Sequence, residues 1–228
     1  MNLLRTATTI VSASIMVISL LTACGKTSSE KSKIGSITLY GNSITKHDPA
    51  PSIGWDGDWG MAASCRDSDY VHRIQSEIAI LGQNTEVTWQ NLAAFERDWE
   101  TYDLSQFDSQ PKSDLIVIKI SENIKYTEGM ESAFESRFHQ LVKKLSGPET
   151  VVVVAGGFWP SPVNDMLKHY AESHDLQYVP LADLFENDKK NAAIGLFENE
   201  GVANHPSDQG MRHIAERIMQ VLRQYEYK

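Results

Sequence analysis

Two short stretches, far apart in the chain, carry the residues best suited to nucleophilic chemistry. Gly41-Asn42-Ser43-Ile44-Thr45 follows the short apolar run Ile37-Thr38-Leu39-Tyr40, and Asn204-His205-Pro206-Ser207-Asp208 directly precedes an amphipathic segment. A serine hydroxyl is a weak nucleophile until a neighbouring base takes its proton, and a histidine within hydrogen-bond reach is such a base. A serine on the turn after a first strand is exposed at the carboxyl edge of a parallel sheet. A histidine just ahead of a last helix returns to that same edge, and Pro206 and Ser207 stiffen its stem. Ser43 is therefore expected to be a nucleophile and His205 its general base. The bland readings are a turn serine that caps the next segment and a structural histidine.

The elements that must position this pair can be read from periodicity. Ser36–Tyr40, Thr85–Trp89, Leu115–Ile120, Val151–Val154 and Gln177–Val179 read as strands. The runs at 115–120 and 151–154 are nearly all apolar, as expected of strands buried on both faces. Between them lie apolar stripes at helical spacing. One is Val71, Ile74, Ile78 and Leu81, between Asp69 and Gly82. Another is Met130, Phe134, Phe138, Leu141 and Leu145. A third is Val163, Met166, Leu167, Tyr170 and Ala171, and the last is Met211, Ile214, Ile218 and Leu222, with Ser207 as N-cap. Alternating strands and helices imply an α/β fold: a doubly wound, mostly parallel five-stranded sheet with helices on both faces. Ligands bind such sheets at the carboxyl ends of the strands, where Ser43 and His205 are expected. The loops 44–68 and 181–206 flank that edge.

The two blocks, in this order and context, resemble the SGNH (GDSL-like) hydrolase family over about residues 34–228. That family opens on a Gly-Asp-Ser-type turn and closes on a His-Pro. Asn42 stands here where the family usually has Asp. The resemblance implies a three-layer fold and a serine esterase that needs no cofactor. It implies small-acyl ester substrates, often acetyl groups on carbohydrate, and also lipids and thioesters. Asn123, after Ile120-Ser121-Glu122, matches the family's Gly-x-Asn block and is the expected oxyanion donor, together with backbone amides near Ser43. The bland reading of Asn123 is an Asx-turn closing a strand. Ser121 replaces the family's Gly. Counting from Asn91, Glu96 falls where the family has the glycine of its second block, and Val202 where it has the triad Asp. His205 is therefore expected to work in a dyad oriented by a backbone carbonyl, with Glu200 as the alternative acid. The Gly-x-Ser-x-Gly elbow of the α/β-hydrolases is absent. Two rival functions remain: an inactive relative that binds glycans, and a lysophospholipase-like lipase.

Residues 1–23 read as an export signal, with Arg5 ahead of a mostly apolar stretch, and Leu21-Thr22-Ala23-Cys24 resembles a bacterial lipobox. Cys24 is the expected lipidation site, residues 24–33 a flexible tether, and 34–228 a single domain. The expected location is the bacterial cell envelope, outside the cytoplasm and tethered to a membrane. A net charge of −9 without basic runs argues against nucleic acid as a partner. With Cys24 lipidated, Cys65 has no disulfide partner; it reads as a half-buried loop residue. Trp55, Trp59 and Trp159 lie in loops at the expected active edge, where they either wall a substrate pocket or plug the loops onto the core. His47, Asp56 and Asp58 show no ligand spacing, so no metal is expected.

Overall fold

The computed structural model describes residues 33–228. The expectations for the export signal and for lipidated Cys24 lie outside these residues. The chain forms β1 (Ser36–Gly41), α1 (Tyr70–Leu81), β2 (Glu86–Asn91), α2 (Ala93–Arg97), β3 (Leu115–Lys119), α3 (Glu131–Leu145), β4 (Val151–Ala155), α4 (Pro162–Ser173), β5 (Gln177–Val179), α5 (Asp183–Asn187), α6 (Glu200–Ala203) and α7 (Asp208–Leu222), with short 3₁₀ turns between. All five strands are parallel, in the order β2-β1-β3-β4-β5. The chain thus goes first to one side of β1 and then to the other, and the order reverses between β1 and β3. In an open α/β sheet this switch point is where a crevice opens at the carboxyl ends.

Each helical stripe finds its face. On one side of the sheet α1 and α7 pack around Ile37, Leu39, Val117 and Val153. On the other, α3 and α4 pack around Tyr40, Ile116, Ile118 and Val154. Alternate residues of β1, β3 and β4 feed the two cores, which makes a three-layer α/β fold. Burying a side chain such as Phe134 or Phe138 contributes about 1.5–3 kcal/mol. Asp69 and Ser207 cap α1 and α7 with their side chains.

Some details depart from the expectations. Leu81 is 48 % exposed, not part of the buried stripe. At ~100° per residue it points roughly 50° off the mean direction of Val71, Ile74 and Ile78. Cys65 is exposed rather than half-buried. The flanking loops are also more ordered than expected, since α5 and α6 lie within 181–206 and α2 follows β2. At the amino edge of the sheet Ile34 pairs in parallel with Tyr227, the Ile34 N–H bonding to Glu226 O at 2.8 Å and the Lys228 N–H to Ile34 O at 3.0 Å.

Candidate active site

Ser43 stands two residues past β1, beside the switch point. The turn that presents it is built locally: the Thr45 and Lys46 N–H groups donate to Asn42 O, and the Ile44 N–H donates to Asn42 Oδ1 at 3.2 Å. Gly41 is required here by space alone. A Cβ at that position would lie 1.9 Å from Thr45 Oγ1 and 3.0 Å from Lys119 O, so any side chain would push β1 off β3. The Ser43 backbone N–H has no hydrogen-bond partner among the described residues.

His205 meets this turn from the far end of the chain. Its Nε2 lies 2.8 Å from Ser43 Oγ and its Nδ1 2.7 Å from the Gly201 carbonyl in α6. A carbonyl only accepts, so Nδ1 carries the proton and Nε2 is left as the acceptor for the Ser43 hydroxyl. Position 202, where a triad Asp was missing, holds a buried valine, and Glu200 is exposed; the backbone of the preceding turn orients the imidazole instead. Burial pushes the His205 imidazole down to about 4, against the opposing pull of the Gly201 carbonyl and the Glu122 carboxylate.

Behind Ser43 lies a buried polar network that sequence reasoning missed. Asn42 Nδ2 donates to Glu96 Oε1 at 3.1 Å and to Glu122 Oε2 at 2.6 Å. Glu96 also accepts the Ser121 N–H at 2.6 Å on Oε1 and Asn123 Nδ2 at 2.6 Å on Oε2. Every partner of Glu96 is a donor, which suits an ionised carboxylate. Burial and the nearby Glu122 raise its carboxyl above the usual range. Glu122 also accepts from fully buried Lys119 and from the Phe158 N–H at 2.9 Å. Burial alone would raise Glu122, but the Lys119 ammonium outweighs it and leaves the carboxyl below its ordinary value. Glu96 occupies the position counted as the family's second-block glycine, and its side chain turns inward to bind Asn123. Asn123 therefore has its amide oriented from behind, with Nδ2 rather than Oδ1 at Glu96.

Ser121 stands where the SGNH pattern has glycine. It adopts φ +154°, is buried, and its Oγ has no hydrogen-bond partner among the described residues. That backbone conformation suits glycine better than an L-residue.

A cavity of about 310 Å³ opens onto the pair, lined by Ser43, His205 and Asn123 and by Ile53, Met61, Arg97 and Val202 among others. The three tryptophans are not among its lining residues. Trp55 is buried, packs against Trp59 and Phe197 and donates to His47 O; Trp59 donates to Ala63 O. They fasten the 44–68 loop to the body. Trp159 stands edge-on to the His205 ring at 5.2 Å and donates to Asn204 O, so it walls the histidine. A larger open groove of about 830 Å³ runs along α3. There Lys112 and Arg137 are held by backbone carbonyls and Lys144 by Asp108, and no serine meets a histidine.

No protein-family model and no curated protein sequence matches the chain. Solved structures do match it. A two-domain esterase active on acetylated mannans, co-crystallised with mannopentaose, is 18% identical, with a TM-score of 0.54; the match covers 83% of this chain and 50% of that one. A catalytic mutant of an acetylxylan esterase from Geobacillus stearothermophilus is 15% identical over 83% of this chain and 95% of that one, at a TM-score of 0.50. A member of the lipolytic G-D-S-L family from Veillonella parvula is 16% identical over 82% of this chain and 97% of that one, also at 0.50. At these identities the likeness is one of fold.

Proposed function

We propose that this chain is a serine esterase that hydrolyses short acyl esters, acetyl esters of carbohydrate foremost, through a Ser43–His205 dyad. One observation carries the reading: the 2.8 Å contact between Ser43 Oγ and His205 Nε2, with the other ring nitrogen on the Gly201 carbonyl. Ser43 Oγ attacks the ester carbonyl while Nε2 takes its proton. The tetrahedral oxyanion is held by Asn123 Nδ2 and the free Ser43 N–H. As the intermediate collapses, the imidazolium returns its proton to the leaving alcohol. His205 then deprotonates a water that attacks the acyl-serine, and Ser43 regains its proton as the acid leaves. The Nδ1–H bond to the Gly201 carbonyl holds the ring through both half-reactions without a carboxylate.

A short acyl group is favoured because about 310 Å³ is at the small end for ligand pockets, and the apolar lining is limited to Ile53, Met61, Ala93 and Val202. The esterase structures similar in fold are reported to act on acetylated mannan or named for acetylxylan, which fits an acetylated carbohydrate. The inactive glycan-binding alternative draws on Asn123, whose amide is already engaged by Glu96. We also propose that Cys24 anchors the protein by lipid outside the cytoplasm, which replacing Cys24 with Ser should abolish. Fluorophosphonate labelling separates enzyme from binding module. An activated Ser43 is labelled and Ser43→Ala is not, and acetyl esters turn over faster than palmitoyl esters. No labelling of the folded protein would refute the esterase; faster palmitoyl hydrolysis would favour a lipase.

A further inference from the structure

Among the described residues that line the catalytic cavity, a single side chain carries a permanent charge. Arg97, the last residue of α2, lines it beside Asn91, Asn123 and His205, and no lining residue is a carboxylate. Among the described residues, Arg66, Arg73, Arg137, Arg212, Arg217 and Arg223 each bond a carboxylate or a backbone carbonyl. Arg97 is the remaining described arginine, and it bonds neither. This is unexpected in a chain of net charge −9, where acidic partners are plentiful. Arg97 is exposed at the rim of this cavity, and a pocket for neutral esters has no use for an uncommitted guanidinium in its lining.

Building on the esterase reading, we infer that the substrate carries a carboxylate close to the scissile ester, and that Arg97 selects it. The guanidinium presents paired N–H donors in a plane that matches a carboxylate. Because no second cation lines the cavity, a singly charged group balances it better than a phosphomonoester, which carries nearly two charges at neutral pH. The carboxylate can belong to the alcohol, as in an O-acetylated uronate, or to the acyl group, as in the half-ester of a dicarboxylic acid. Both place an anion within reach of Arg97 while Ser43 attacks the ester carbonyl. Arg97 is then a specificity residue, touching the substrate away from the reacting atoms.

Two matched pairs of esters test this on the purified protein. One compares monoacetylated methyl glucuronoside with monoacetylated methyl glucoside; the other compares 4-nitrophenyl hemisuccinate with 4-nitrophenyl butyrate. In at least one pair, kcat/KM should favour the charged member by about tenfold, the scale of a hydrogen bond to a charged group discounted for exposure. The favoured pair identifies which part of the substrate bears the charge. Arg97→Gln should bring that ratio to within about threefold of unity. In the unmodified protein the same ratio should fall as added NaCl shortens the screening length, which tests the inference even if the variant folds poorly. Ratios near unity in both pairs, a preference that survives in folded Arg97→Gln, or one that added salt leaves unchanged, overturn it. If neutral esters turn over without preference, only the role of Arg97 falls. If no ester turns over and Ser43 resists fluorophosphonate, the esterase reading falls with it.

Discussion

If His205 is the base of the proposed dyad, it should remain competent in acid. A histidine in water titrates near 6.5, whereas burial holds His205 at about 4. Only the neutral ring can accept the Ser43 proton, so kcat/KM of the free enzyme should follow the deprotonated fraction. At pH 5 a base of ordinary pKa is ~3% neutral, while one at about 4 is ~90% neutral, a difference of roughly thirtyfold. The assay is kcat/KM for a short-chain ester from pH 3.5 to 8 at constant ionic strength, with spontaneous hydrolysis subtracted. The acid limb should bend near pH 4, and the plateau should lie below that of an enzyme whose base titrates near 7, because a weaker base accepts the proton less readily. A limb at or above pH 6 would refute the argument. Glu96 could also titrate in acid, since its raised carboxyl must be ionised to hold three donors. A limb due to Glu96 vanishes in Glu96→Gln, and one due to His205 persists. Stability follows the same titration. Because the folded pKa is depressed, the contribution is fully present above pH 6.5 and is lost as pH falls toward 4, by about 3 kcal/mol in all.

Three other outcomes follow from the network and the turn. Asn123→Ala should lower kcat by roughly 10²–10³, as for one lost oxyanion donor; Glu96→Gln should lower it about tenfold to a hundredfold, but less than about threefold when Asn123 is already Ala, a coupling that a double-mutant cycle reads directly. Equal losses in both backgrounds would make Glu96 a purely structural residue. Ser121→Gly should stabilise the fold by about 1–2 kcal/mol, since it relieves the backbone at φ +154° and removes an unpartnered buried hydroxyl; thermal unfolding should shift up by a few degrees, and a lower midpoint would contradict the strain. Glu200→Gln should cost less than about tenfold in kcat, because Gly201 O already holds His205 Nδ1; a loss of several hundredfold would reveal a displaced triad.

The fold was legible because its signals are local. Val151–Val154 has no polar residue, and Phe134, Phe138, Leu141 and Leu145 recur at helical spacing, so each segment announces its own burial. The Ser43–His205 meeting was legible for a different reason: parallel topology returns the end of every strand to one edge, whatever the distance along the chain. Glu96 gave no such sign. In sequence it falls in the loop after the second strand, at the position matched to a glycine, and its partners Asn42, Ser121 and Asn123 come from other turns. Lys119 is similar, a lysine closing an apolar strand whose charge is met by Glu122 three residues on. Buried polar pairings of this kind depend on tertiary proximity, which periodicity does not encode. The tryptophans were ambiguous because a ring that seals a loop and one that faces a pocket have the same composition around them.

The pairing of Ile34 with Tyr227 makes the order of the elements along the chain separable from the arrangement they build. Residues 34 and 228 are bonded neighbours at the amino edge of the sheet, while Ser43 stands past the other end of β1, about 20 Å away for a strand of this length. About five flexible residues would join Lys228 to Ile34 in a circularly permuted chain. New ends could then be opened in the exposed turn around Pro111, ahead of β3. Such a chain would start on β3 and finish near the 3₁₀ turn before it, with Ser43 now following α7 in sequence rather than preceding it. Whether it still closes the 2.8 Å contact between Ser43 and His205 would separate what the sheet edge requires from what the natural chain order contributes.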